Sequence, residues 1–144
     1  MTRATLYISF CGRELPNSWL LKSGDADLNG ITTHVLDAAL GRPAAGVPVL
    51  LEQLRPADGE TSPAAQVLAS GVTDSDGRSG ALGPDRPSVG TYRLTFDTAA
   101  YFAATGQIGF YPTVTVTFAL TDPTRHHHVP VLLSPYAFTT YQGS

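Results

Sequence analysis

An antiparallel β-sandwich of seven or eight short strands with one short helix is the fold this sequence predicts, and three observations carry that prediction. Apolar and polar residues alternate in short runs along most of the chain, the period that a half-buried strand requires. Turn-formers separate these runs, drawn from 14 Gly and 11 Pro. A single segment combines helix-forming composition with recognisable ends. The 144 residues are one domain's worth, and a chain of that length buries about 68–70% of its unfolded surface, so no staple is needed.

Residues 1–29 read as a separate, poorly ordered leader, because their apolar residues keep no sustained period and finish in the polar stretch Ser23-Gly24-Asp25-Ala26-Asp27. The domain proper is expected over residues 30–144. Its first strand follows Gly30: Ile31, Thr33 and Val35 share one face, Thr32, His34 and Leu36 the other, and Asp37 ends it before Gly41-Arg42-Pro43. A second strand fits residues 46–54, with Val47, Val49 and Leu51 on one side, and a third fits about 65–73. Asp74-Ser75-Asp76-Gly77 then supplies a tight turn whose Asp-Gly pair can adopt the positive φ of a hairpin. Beyond the turn-rich stretch from Gly83 to Gly90, Thr91 to Phe96 reads as a strand. Residues 97–105 form the predicted helix, capped by Asp97, filled with alanines and ended by Gly106. Val114, Val116, Phe118 and Leu120 alternate with threonines in the clearest strand of the chain. Two more fit residues 127–133 and 136–141, divided at Ser134-Pro135.

Composition excludes several classes of function. Nine basic side chains, spread along the chain, face twelve acidic ones for a net charge of −3, which leaves no footprint for nucleic acid. No apolar stretch approaches the roughly 20 residues that span a bilayer. The run Leu6 to Gly12 imitates a signal peptide but is cut short by Arg13 and Glu14. A soluble, cytoplasmic protein is the expectation. Cys11 stands alone, so there is no intramolecular disulfide framework, no Cys-x-x-Cys pair and no argument for a nucleophilic thiol. Phosphate loops, nucleophile elbows and zinc helices have no matching motif.

The histidines are the side chains whose ordinary pKa lies near neutrality. His126 and His128 project to one face of the last strands and His127 to the other. Two imidazoles at i and i+2 can act as a general acid and base on water, or can supply two ligands of a zinc site completed by His34. They also fit an exposed edge cluster with no role, and His34 alone fits a solvated strand histidine. Arg78, just past the Asp-Gly turn, can stabilise a developing oxyanion with its planar fork or can be a plain surface arginine. Residue by residue, the chemistry stays open.

A larger pattern joins these residues. His34-Val35-Leu36-Asp37, Gly41-Arg42-Pro43-Ala44 and Val47-Pro48-Val49 resemble the first signature of the transthyretin-like family. Asp74-Ser75-Asp76-Gly77-Arg78 resembles its Asp-x-Asp-Gly-Arg turn, and Gly90 to Phe96 its next strand. Tyr101-Phe102, Phe110-Tyr111-Pro112 and the run His126 to Ser144 match as well, so the resemblance covers about residues 30–144. Within the family the chain is similar to the 5-hydroxyisourate hydrolase branch rather than the hormone carrier. That branch carries a histidine in the first strand, an arginine after the turn, a histidine before Val-Pro, and a terminal Tyr-Arg-Gly-Ser. Here these positions are His34, Arg78, His128 and Tyr141-Gln142-Gly143-Ser144.

The resemblance implies a hydrolase that opens a cyclic amide, 5-hydroxyisourate, in urate catabolism, without metal or cofactor. It implies a homotetramer, a dimer of dimers, with sites at a subunit interface and a small purine derivative as partner. His34 and His128 would handle the water and its proton, Arg78 the oxyanion, and Tyr141 to Ser144 the substrate ring, with His126 a neighbour. Three positions depart from the pattern. Gln142 replaces the terminal arginine, losing a fixed charge and a planar fork. His127 replaces an aromatic residue, and Ala137 a Gly or Ser. The Gln142 departure keeps open the alternative of a non-catalytic small-molecule binding protein.

Overall fold

Period-two burial builds two sheets that face each other across one apolar core. The computed structural model describes residues 7–10, 13–16, 30–56 and 64–144. In chain order the strands are β1 (Tyr7–Phe10), β2 (Arg13–Pro16), β3 (Ile31–Asp37), β4 (Arg42–Pro43), β5 (Pro48–Arg55), β6 (Ala64–Val72), β7 (Arg78–Leu82) and β8 (Gly90–Phe96). Helix α1 (Thr98–Ala104) and strands β9 (Val114–Leu120), β10 (His127–Ser134) and β11 (Ala137–Thr140) complete the chain. One sheet runs β6-β5-β8-β9 and the other β11-β10-β3-β4, with β7 also on β3. Ile31 and Val35 of β3, Val49 and Leu51 of β5, Leu94 and Phe96 of β8, and Val131 and Leu133 of β10 are all at most 1% exposed. In β3 and β5 these are the alternate positions that the sequence assigns to one face.

The larger sheet departs from the expected all-antiparallel arrangement. β10 runs parallel to β3, with His127 opposite Ile31 and Leu133 opposite Asp37. Parallel neighbours cannot be joined by a tight turn, and here everything from β4 to β9 serves as the connection. The expected hairpin after Asp74 also takes another form. Gly77 has a φ of 74°, yet the strand that follows leaves the sheet of β6 and pairs with β3 instead. That strand, β7, reads Arg-Ser-Gly-Ala-Leu and offers too few apolar residues for the alternation to be visible in sequence. β4, only two residues long, gave no signal either. Within the leader, β1 and β2 form a two-stranded antiparallel pair where the sequence predicted no element. Backbone ladder bonds hold such a pair without the apolar period that sequence reading relies on; the rest of residues 1–29 lies outside the described residues.

Pro130 sits inside a strand with neighbours on both sides. The His127 N–H donates to Gly30 O on the β3 side, so alternation turns the nitrogen of Pro130 toward β11. Pairing with β11 begins one residue later, at Val131 and Thr140. The missing donor therefore falls where the ladder has not yet started.

Asp37 joins the end of β3 to the helix. Its carboxylate, 1% exposed, accepts from the backbone of Ala39 and Leu40 at 2.9 and 2.7 Å. It also accepts from the Tyr101 hydroxyl at 2.6 Å and from Gln107 Nε2 at 3.0 Å. Burial pushes this carboxyl up, but Tyr101 foremost, then Leu40, Gln107 and Ala39, outweigh it and hold it below the ordinary aspartate value. Tyr101 is pushed up to about 12, first by burial and then by its bond to Asp37. Helix α1 forms as predicted, with Asp97 Oδ1 accepting from Ala100 N–H at 3.0 Å and Gly106 at φ 67° behind it. Removing one donor from a buried carboxylate costs about 1–3 kcal/mol. Tyr101→Phe is therefore expected to lower unfolding free energy by about that amount at pH 7, read as a lower urea midpoint with an unchanged slope.

Candidate functional site

The outward face of the larger sheet collects the side chains that β3 and β10 do not send into the core. Ile31, Thr33 and Val35 of β3 are buried, so Thr32 and His34 project the other way. Across one edge of β3, Arg78 pairs directly with His34. Across the other, His128 pairs with Thr32. Paired residues point to the same side of a sheet, which puts His34, Arg78, Thr32 and His128 on one face. Thr32 and His34, two residues apart, are separated by about 6.6 Å along the strand.

The turn before β7 fixes this arrangement. Asp74 Oδ1 accepts the N–H groups of Asp76 and Arg78, both at 2.9 Å. Gly77 N–H donates to Asp74 O at 2.9 Å, and Val35 N–H donates to Gly77 O at 2.7 Å. A Cβ on Gly77 would run into the Val35 carbonyl, so glycine is required both by its φ and by this approach. The turn also presents the Asp76 carbonyl to His34, whose Nε2 lies 2.8 Å away. A carbonyl only accepts; Nε2 therefore carries a proton, and Nδ1 is the lone-pair nitrogen of the neutral ring. Arg78 is exposed. The one ion pair among the described residues joins Arg93 to Glu52 on the other sheet, so the Arg78 guanidinium has no carboxylate partner there.

On the far side of β3, His128 Nδ1 and His126 Nε2 both meet the Thr32 hydroxyl, at 2.8 and 2.6 Å. Their ring centroids are 6.1 Å apart. His127 points away, as the alternation requires, and its Nε2 donates to Asp122 O at 2.7 Å. The C-terminal tail lies on the site: Gly143 bridges His128, with its N–H donating to His128 O at 2.8 Å. A Cβ on Gly143 would come 2.5 Å from His128 Cδ2 and 3.1 Å from Pro130 Cγ. The tail thus rests against the imidazole. Tyr141 and Gln142 line an adjoining groove of about 350 Å³ with Phe118, Arg125, His127 and His128, and Ser144 is exposed beyond the bridge.

Of the residues singled out from sequence, His34, Arg78, His128 and Gly143 are gathered on one face, and His126 joins them through Thr32. Tyr141 and Gln142 reach the same place only by way of the groove beside His128. Thr32 itself escaped notice, although a residue two before His34 on a strand must share its face. The three imidazoles do not converge as the zinc reading requires. Two of their nitrogens are taken by one hydroxyl and a third by a carbonyl, and among the described residues no three His, Cys, Asp or Glu side chains are placed to hold a metal ion.

Burial is the largest influence on His128 and pushes its pKa below the ordinary 6.5; the positive Arg78 adds to this, followed by His126 and His34. The ring is therefore neutral at pH 7, with a lone pair to offer, beside a guanidinium that stays charged. A neutral base next to a fixed cation can take a proton from water while the oxygen that gains negative charge is stabilised.

The chain is similar to known proteins over most of its length. The model of the HIUase/Transthyretin family matches residues 31–143. A protein from Mus musculus named 5-hydroxyisourate hydrolase is 45% identical over 117 residues, covering 79% of this chain and 94% of the mouse protein. The solved structure of Klebsiella pneumoniae 5-hydroxyisourate hydrolase superposes with a TM-score of 0.65 at 34% identity, covering 79% of this chain and 98% of that one. Sea bream transthyretin in complex with thyroxine superposes with a TM-score of 0.69 at 32% identity, covering 78% of this chain and 93% of that one.

The electrostatic coupling within the site can be read directly. Arg78 repels only the protonated form of His128, so its removal favours that form. In an imidazole NMR titration, His128 is expected to titrate below 6.5 in the wild type, and Arg78→Gln to move it upward, while burial still keeps it below the ordinary value. An unmoved titration would show that the guanidinium does not face the ring.

Proposed function

The chain belongs to the HIUase/Transthyretin family, and from that premise we propose that it hydrolyses 5-hydroxyisourate in urate degradation. The reaction opens the lactam ring to 2-oxo-4-hydroxy-4-carboxy-5-ureidoimidazoline. One observation carries the assignment of the site: His34, Arg78 and His128 share one face of one sheet, with a neutral imidazole beside a guanidinium that has no carboxylate partner among the described residues. Water attacks the lactam carbonyl and gives its proton to the lone pair of His128. His34 holds that water through Nδ1, the nitrogen its bond to Asp76 leaves open. Arg78 donates to the carbonyl oxygen as it becomes an oxyanion. The carbon–nitrogen bond then breaks, and the proton returns from His128 to the leaving nitrogen. The tail Tyr141 to Ser144 closes over the ring. No metal or organic cofactor enters the scheme.

The same reading assigns a homotetramer, a dimer of dimers, with sites between subunits. It is supported by apolar surface around the site: Leu132 shares the outward alternation of His128 and is 36% exposed, and Tyr141, in the groove beside His128, is 54% exposed. No described helix is long and apolar enough to cross a membrane, and a cytoplasmic enzyme remains our assignment.

Freshly generated 5-hydroxyisourate, followed by its absorbance, is expected to decay faster with the protein than alone. His128→Asn and His34→Asn should each lower kcat by about 10²–10⁴-fold, and Arg78→Gln by about 10²–10³-fold. Decay at the spontaneous rate would remove the hydrolase assignment. A second reading, a non-catalytic binding protein, is favoured by Gln142 in place of arginine and by the likeness to a thyroxine-bound transthyretin; it requires ligand to be recovered unchanged. Gln142→Arg tests that departure within the hydrolase reading. If the terminal charge binds substrate, the variant lowers KM by about tenfold, the effect of one charge-assisted hydrogen bond; equal KM would mean the amide suffices.

A further inference from the structure

The Thr32 hydroxyl lies between two imidazole nitrogens, His126 Nε2 at 2.6 Å and His128 Nδ1 at 2.8 Å. A hydroxyl has one hydrogen to donate. If it donates to one ring, its bond with the other ring needs an N–H from that ring. The tautomers of the two histidines are therefore tied together through one atom. Strand pairing does not need this contact, since β3 and β10 are already bonded backbone to backbone and Thr33 donates to Val129 O at 2.7 Å.

We propose that Thr32 and His126 form a proton relay behind His128, storing on His126 the positive charge that His128 gains with the proton from water until the leaving nitrogen needs that proton. The proposal rests on the reading of His128 as the base of the hydrolysis. At the start, His128 Nδ1–H donates to Thr32 Oγ1, Thr32 O–H donates to His126 Nε2, and His128 Nε2 is free. When water attacks the carbonyl carbon, its proton goes to His128 Nε2. The Nδ1 proton moves to Thr32, and the Thr32 proton moves to His126. His128 is again neutral, now with Nε2–H, and His126 is an imidazolium. When the carbon–nitrogen bond breaks, Nε2–H goes to the leaving nitrogen and the two inner protons step back. Every bond and charge returns to its first state.

The surroundings favour this direction. Facing His128 are Arg78 from β7, His34 from β3 and His126 from the residue just before β10, all positive or able to become so, with Tyr141 of the tail in the adjoining groove. A lasting second positive charge on His128 is thus disfavoured, whereas His126 is exposed to solvent and better able to hold it. Thr32 and His126 act through His128 and are positioning residues rather than groups that touch substrate.

The test compares Thr32→Val, Thr32→Ser and His126→Gln in the hydrolase assay, with the ring nitrogens of the two histidines followed by ¹⁵N NMR against pH. Thr32→Val and His126→Gln are each expected to lower kcat by about 10- to 10²-fold, less than loss of the base itself, with KM unchanged. Thr32→Ser restores kcat. The double variant Thr32→Val with His126→Gln loses no more than either single one. In the wild type the ¹⁵N shifts of the neutral His128 ring place its proton on Nδ1, and Thr32→Val releases that tautomer. Full kcat in Thr32→Val, additive losses, or a wild-type His128 protonated on Nε2 rather than Nδ1 would overturn the relay. A wild type without hydrolase activity would instead overturn the reading it rests on, and the ring tautomers would still decide whether the two histidines share a proton path through Thr32.

Discussion

The parallel ladder between β3 and β10 is the constraint on which the site depends. It closes the domain on itself, pairing its first strand with its second-to-last, and it sets which residues of two distant segments face each other. Its register puts Thr32 opposite His128 and Pro130 opposite His34. A slip by one residue would turn His128 and Thr32 to opposite faces and drive an imidazole into the core. The slip is resisted from inside: Ile31, Val35, Val131 and Leu133 are at most 1% exposed. The side-chain bond from Thr33 to Val129 O is buried as well. Core packing thus fixes the outward chemistry.

Two glycines bring the remaining parts to this ladder, by different means. Gly77 lets the chain pass so close to β3 that its carbonyl accepts from Val35, and the turn it closes delivers both the Asp76 carbonyl to His34 and Arg78 to the position across from it. Gly143 lets the tail lie on the His128 ring. Each permits a backbone approach that any side chain would block, and the functional groups are held by strands and a hydrogen-bonded turn rather than by free loops.

Much of this was legible in the amino-acid sequence because alternation is a local signal. The inner positions of β3 and β5 and the buried ends of β9, Val114 and Leu120, follow directly from it, as does the opposite pointing of His127. Helix α1 was legible from Asp97 and Gly106. Alternation says nothing, however, about which strand lies beside which, and so the parallel pairing and the move of β7 to the other sheet stayed hidden. Arg78 and His34 are 44 residues apart in the chain, and only the shape of the turn makes them neighbours. Motif likeness joined His34, Arg78 and His128 where residue chemistry alone left each one ambiguous. It did not reach Thr32, because a threonine in a strand is ordinary until two imidazoles are seen to share its hydroxyl.

The electrostatics of the face explain why such different basic groups stand together. Arg78 is always charged and has no carboxylate partner among the described residues, so its field is available to an oxygen that gains charge during reaction. That same field, added to burial, keeps His128 neutral. In the proposed reaction one cation thereby does two things: it attracts the oxyanion and preserves the base. A carboxylate placed to neutralise Arg78 would weaken both effects at once. The hydrogen bonds around His34 and His128 come instead from a carbonyl and a hydroxyl, which orient the rings without adding negative charge. A site assembled in this way favours substrates whose negative charge develops in the reaction.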